Sequence, residues 1–133
     1  MLVVDASVLV VALADDGPDG DQARARLRGE QLAAPELLDV EVASVLRRQA
    51  RLGTTQPRRA ELALADLAAA PLARAPHQPL LRRCWELRDN LSIYDATYVA
   101  LAEALGVDFL TGDVRLANAS GPLCHIEVFR PKH

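Results

Sequence analysis

Asp5 follows the apolar pair Val3-Val4 and precedes Ala6-Ser7-Val8, and Asp113 closes Thr111-Gly112-Asp113 after a second apolar run. Each falls directly after a strand-like segment and before a helical one. Aspartate is a favoured helix N-cap there, so either residue alone reads first as a cap. Asp95 ends Ser92-Ile93-Tyr94-Asp95, the spacing of a capping box in which the acid returns to the cap residue's N–H. Glu41 fits a capping role worst. It is mid-helix, with Leu37 and Val45 one turn away on either side and Val40 and Val42 flanking it. Residues four apart share a helix face, so the carboxylate sits in an apolar stripe. Such a group is costly unless it is paired, protonated or bound to a metal. Arg48, two turns on, is a candidate structural partner; metal ligation is the stronger reading. Four acids offer only hard oxygen donors, which suit Mg²⁺ or Mn²⁺ and not zinc. His77, His125 and His133 are scattered, none at a metal-binding spacing from an acid, and read as surface or turn residues.

The elements that would position these acids alternate. Leu2 to Val4 reads as a strand, Ser7 to Ala14 as a helix, Asp15 to Pro18 as a turn and Asp21 to Arg28 as a helix. Gln31 to Ala34 reads as a strand. Pro35 is expected to open a helix that Gly53 closes, following the preference for proline at the start and glycine past the end. A helix from Pro57 to about Ala69, a strand Leu72 to Ala75 and a helix Pro79 to Arg88 follow. Ser92 begins a helix that Gly106 ends. Val107 to Leu110 is a strand, Asp113 to Asn118 a helical turn and His125 to Phe129 a closing strand. Short apolar strands alternating with helices imply an α/β fold with a parallel sheet covered on both faces. Ligands of such sheets bind beyond the carboxyl ends of the strands, where Asp5 and Asp113 fall.

Composition sets the outer bounds. The 133 residues, half of them hydrophobic and a quarter charged, suit one soluble globular domain spanning 1–133 and not a disordered chain. Net charge is −3, so no global positive field draws in nucleic acid, an objection that weakens if cations neutralise clustered acids. Lys132 is the only lysine. Cys84 and Cys124 lie in apolar settings without metal-ligand spacing, which suggests reduced, buried thiols. The apolar start contains Asp5, lacks a basic lead-in and is too short to span a bilayer, so a cytoplasmic protein without a membrane partner is expected.

Four segments together resemble the PIN-domain nucleases, and most closely the VapC toxins of bacterial toxin–antitoxin pairs. They are VVDASVLV at 3–10, PELLDVEVASVLRR at 35–48, SIYDATYVALAEALG at 92–106 and FLTGDVRLANA at 109–119. The third is the most specific, and the four in order span nearly the whole chain. The resemblance implies a three-layer α/β/α fold with a central, mainly parallel sheet. It also implies Mg²⁺- or Mn²⁺-dependent endonucleolytic cleavage of single-stranded or looped RNA, with Asp5, Glu41, Asp95 and Asp113 as catalytic metal ligands. Ser7, Thr111 and Asn118 fall where the family places groups that steady the acids. A cognate antitoxin protein and a homodimer are further implications. Two cations roughly 4 Å apart acidify water and clamp the oxygens of a phosphodiester, so no histidine base is needed.

Arg48, Arg88 and Arg115 are candidate contacts to RNA phosphates, against a simpler reading as solvated helix faces and ion pairs. Tyr94 is a candidate for base stacking; Tyr98 more readily packs in a core or interface. Two rivals remain: a PIN domain working in RNA processing outside a toxin–antitoxin system, and a phosphoacceptor α/β binding module. The second normally needs a lysine near its acids, and Lys132 is in the tail.

Overall fold

In the computed structural model, which describes residues Met1–Pro131, the apolar triplet Leu2–Val4 forms β1 and is buried throughout. The other strands are β2 (Leu32–Pro35), β3 (Leu72–Ala75), β4 (Asp108–Thr111) and β5 (Ile126–Val128). They hydrogen-bond in the order β3-β2-β1-β4-β5, and every pairing is parallel, beyond the mainly parallel sheet expected. The helices are α1 (Ala6–Ala14), α2 (Pro18–Leu27), α3 (Leu37–Leu52), α4 (Pro57–Ala69), α5 (Leu81–Glu86), α6 (Ile93–Leu105) and α7 (Val114–Ala117). Helix α1 packs on α2, α3 and α4, while α5 packs on α6, which lies against β1, β2 and β4. Sheet and helices make the three-layer α/β/α arrangement. A single cluster of buried residues, with Val3, Val4, Leu38, Val42, Tyr98 and Phe109 among them, runs through it.

The strand order reverses direction at β1. The chain steps outward from β1 through β2 to β3, then returns to the other side of β1 for β4 and β5. Connections leaving β1 and β4 therefore diverge, which opens a crevice beyond the carboxyl ends of these two neighbours. Register decides what borders it. Val4 pairs with Leu110, and Asp5 N donates to Leu110 O at 2.9 Å, so Asp5 and Thr111 leave the sheet side by side.

Three element boundaries differ from the sequence expectation by more than a single residue. Pro35 does not open α3; it is the last residue of β2, paired with Ala75. Pairing of β2 with β1 has stopped by then, so the missing N–H costs no ladder bond, and the helix starts at Leu37. Pro18 is not a turn residue but the first residue of α2, after an Asx-type turn in which Gly17 N donates to Asp15 Oδ1 at 2.6 Å. Gly20 is required there, since a Cβ would lie 1.8 Å from the Asp15 carbonyl oxygen. The segment read as a helix from Pro79 breaks into a 3-10 turn (Gln78–Leu80) and α5.

Cys84 and Cys124 are free thiols, buried and half-buried respectively. His133 and Lys132 lie outside the described residues. No described helix is long and apolar enough to cross a membrane.

Candidate active site

Asp5 occupies the N-cap position of α1, yet its side chain makes no cap hydrogen bond. Oδ2 instead accepts from Thr111 Oγ1 at 2.6 Å and from Ser7 Oγ at 3.1 Å. Both hydroxyls do double duty. Ser7 Oγ accepts from Gly112 N at 2.9 Å, and the fully buried Thr111 Oγ1 accepts from Asp113 N at 3.1 Å. The loop after β4 is thereby laced to the start of α1. Burial pushes the Asp5 carboxyl up; the Thr111 and Ser7 hydroxyls oppose this, and the Asp95 charge adds to it.

Glu41 enters from α3. Its Oε1 accepts from the Tyr98 hydroxyl on α6 at 2.5 Å. The suggested partner Arg48 is exposed and takes no part in an ion pair among the described residues. Burial raises the Glu41 carboxyl, the Tyr98 hydroxyl opposes it, and the Asp5 and Asp95 charges raise it further. Asp95 lies in the first turn of α6, where its N–H donates to Ser92 Oγ at 3.0 Å, the backbone half of a capping box. Its carboxyl is also raised, chiefly by burial and then by Asp113, against the Ser92 hydroxyl and the Arg115 charge.

The structure thus brings Asp5, Glu41 and Asp95 within one another's electrostatic reach, with no cationic side chain among the described residues bearing on Asp5 or Glu41. Asp113 joins through Asp95 but differs in state. It caps α7 by accepting from Arg115 N at 2.9 Å, and the Arg115 guanidinium holds its carboxyl below the usual range through a 2.8 Å ion pair. That guanidinium is 87% exposed, so solvent competes for it. Among the described residues no three His, Cys, Asp or Glu side chains close into a ready-made metal cage.

Other residues singled out in the sequence sit elsewhere. Asn118 Nδ2 donates to Val114 O at 3.3 Å and bonds to none of the acids. Arg88 stacks over Trp85, 4.6 Å from the ring centroid, and donates to its carbonyl. Tyr98 packs in the core as expected, but its hydroxyl bond to Glu41 was not foreseen. The readable signal was its place one turn after Asp95 on the same face of α6. His77 is not a free surface residue: its Nε2 accepts from Leu37 N at 2.8 Å and so caps α3 from another segment. A cavity of about 630 Å³ opens between the far ends of α1 and α3 and the start of α4. None of the four acids lines it, and its polar groups satisfy one another through Arg59–Asp16 and Thr55–Gln49 bonds.

The family model described as PIN domain matches residues 2–122. The chain is 47% identical over 131 residues to Ribonuclease VapC9 of Mycobacterium tuberculosis, covering 96% of this chain and 98% of that protein. Among solved structures it resembles PAE2754 from Pyrobaculum aerophilum, with 29% identity, a TM-score of 0.68 and coverage of 96% of this chain and 83% of that one. VapBC2 from Rickettsia felis, bound to a DNA fragment from its promoter, shares the fold at a TM-score of 0.66 and 11% identity, covering 96% of this chain and 97% of that chain.

Proposed function

The chain belongs to the PIN-domain family, and from that premise we propose that it is a divalent-cation-dependent endoribonuclease cutting single-stranded or looped RNA, the toxin of a toxin–antitoxin pair. One observation carries the reading: Asp5, Glu41 and Asp95 come within one another's electrostatic reach, and neutral hydroxyls, not cations, steady Asp5 and Glu41. Neutral donors order a carboxylate without cancelling its charge. The negative potential is left for a ligand to offset.

The donor set fits Mg²⁺ or Mn²⁺, since every ligand offered is a hard oxygen. Asp5, Glu41 and Asp95 would hold the cation, and Asp113 would join by turning from the exposed Arg115. A bound cation supplies an acidified water and neutralises charge on the attacked phosphodiester. Thr111 and Ser7 keep Asp5 oriented, and Asn118 stays near the last acid at the end of α7. Arg48, Arg88 and Arg115 are exposed and would contact RNA phosphates, Arg115 beside Asp113. The relative named as a ribonuclease and the likeness to a VapBC assembly support an RNA substrate and an antitoxin partner. A homodimer, one domain over 1–133 and a cytoplasmic location complete the proposal.

The test is cleavage of single-stranded RNA by purified protein, with Asp95→Asn alongside. Asparagine can still occupy a helix N-terminus, so a pure capping role tolerates the change. We expect the folded variant to lose at least about a hundredfold in rate, on the scale of losing one stabilising group in an active site. Wild-type cleavage should stop in EDTA and return with Mg²⁺ or Mn²⁺. Undiminished cleavage by folded Asp95→Asn, or by wild type in exhaustively chelated buffer, would refute the assignment.

A further inference from the structure

Tyr98 is 1% exposed, and its ring stacks on Phe109 of β4 with centroids 5.4 Å apart and planes 14° from parallel. Packed in this way, the phenol cannot follow a moving partner. Its hydroxyl meets Glu41 Oε1, on a different helix and 57 residues away in sequence. One turn before Tyr98, on the same face of α6, stands Asp95. A single rigid side chain therefore connects β4, the helix that carries Asp95 and the helix that carries Glu41.

A buried tyrosine hydroxyl needs some hydrogen-bond partner, and a neutral acceptor would be the inexpensive choice. Here the acceptor is a carboxylate that feels the charges of Asp5 and Asp95. Glu41 has three rotatable side-chain bonds and is only half-buried, so repulsion from Asp5 and Asp95 favours rotamers that swing it out to solvent. The Tyr98 hydroxyl opposes that escape. We propose that Tyr98 is a positioning residue of the site, fixing one Glu41 oxygen so that the carboxylate stays turned towards Asp5 and Asp95 to take up a divalent cation. The inference rests on the metal-dependent reading above and adds to it a residue that touches neither cation nor RNA.

Mn²⁺ binding without RNA, measured by titration calorimetry on the full chain, tests it. Tyr98→Phe keeps the ring, its volume and the Phe109 stack while removing only the hydroxyl. It should weaken Mn²⁺ binding about tenfold, the scale of one hydrogen bond to a charged group. In a Glu41→Ala background, which leaves the Tyr98 hydroxyl no side chain to hold, the same change should weaken binding no further, because a residue acting through Glu41 has nothing left to position. Unchanged affinity, or equal weakening in both backgrounds, would overturn the role of Tyr98 while leaving the nuclease reading intact. A wild-type protein that takes up no Mn²⁺ would overturn both. Should Tyr98→Phe fold poorly, wild-type protein decides. Tyr94 and Tyr98 are the two tyrosines, so ring ¹³Cζ lines are assignable with Tyr94→Phe. The Tyr98 line should move along a Mg²⁺ titration, and a stationary line would refute the coupling.

Discussion

Glu41 is held against its own charge. The folded carboxyl is raised above its ordinary value of 4.5 by burial and by Asp5 and Asp95, while in the unfolded chain it titrates normally. A raised carboxyl binds its proton more tightly in the folded state. Its contribution to stability is therefore full below the unfolded value and lost as pH rises through the folded one. At neutral pH without metal, the ionised Glu41 is destabilising. Glu41→Gln keeps the volume and an acceptor for Tyr98, so it should raise the metal-free melting temperature at pH 7. We expect on the order of 1 kcal/mol, roughly 3–6 °C for a chain of this size, discounted for half exposure. The advantage should shrink as pH falls towards 4.5, and adding Mg²⁺ should raise the variant's melting point less than the wild type's. A variant that melts below wild type at every pH would make Glu41 a structural partner. Thr111 gives the opposite sign. Its hydroxyl, fully buried, donates to Asp5 and accepts from Asp113 N, and Thr111→Val strands both groups. Denaturant melts should show a loss of about 1–3 kcal/mol; a change under about 0.3 kcal/mol would mean that water takes over both bonds.

Helix α3 must aim Glu41 from its second turn, yet its start has no side-chain cap of its own. The imidazole of His77, brought by the turn after β3, accepts the Leu37 N–H in its place. His77→Ala should cost about 0.5–2 kcal/mol, the range for losing an N-cap, with the loss read from chemical denaturation. Faster hydrogen exchange at the Leu37 amide would localise it, and an unchanged exchange rate there would count against the cap. The same helix shows which information was legible in the sequence. Its body was plain, because Leu38, Val42 and Leu46 recur at four-residue spacing and are all buried. Its start was misread, because Pro35 signals a helix start in isolation, and only the neighbour β3 makes it a strand end. Asp5 and Asp113 were readable as site candidates from their positions after strands and Glu41 from its apolar stripe, whereas Asp95 alone read as a capping box and came through the resemblance. Their partners were less so: Thr111 and Ser7 came through the resemblance, and Tyr98 and His77 did not come at all. A hydrogen bond between residues 40 or 57 positions apart follows from sheet order and helix placement, neither of which a local pattern encodes.

Charge is spent internally across the molecule. Arg26 pairs with Glu127, Arg59 with Asp16, Arg74 with Asp39, Arg83 with Glu103 and Arg115 with Asp113, each within 3.0 Å. In a chain of net charge −3, exposed arginines outside these pairs remain for a polyanion, with Arg47, Arg48 and Arg51 together near the end of α3 and Arg88 after α5. Such a surface cannot hold RNA by a broad basic field. Binding must lean on a few phosphate contacts and on cations seated among the acids. Counterion release makes this measurable, because the slope of log K against log salt is about −0.7 per phosphate contact for single strands. Folded Asp95→Asn protein, unable to cleave, should bind a short single-stranded RNA in excess Mg²⁺ with a slope near −2, equivalent to about three contacts. Arg48→Ala or Arg88→Ala should each make the slope shallower by about 0.7 if that arginine is a contact. A slope of about −5 or steeper would mean about seven phosphate contacts and would overturn the reading of a few local ones.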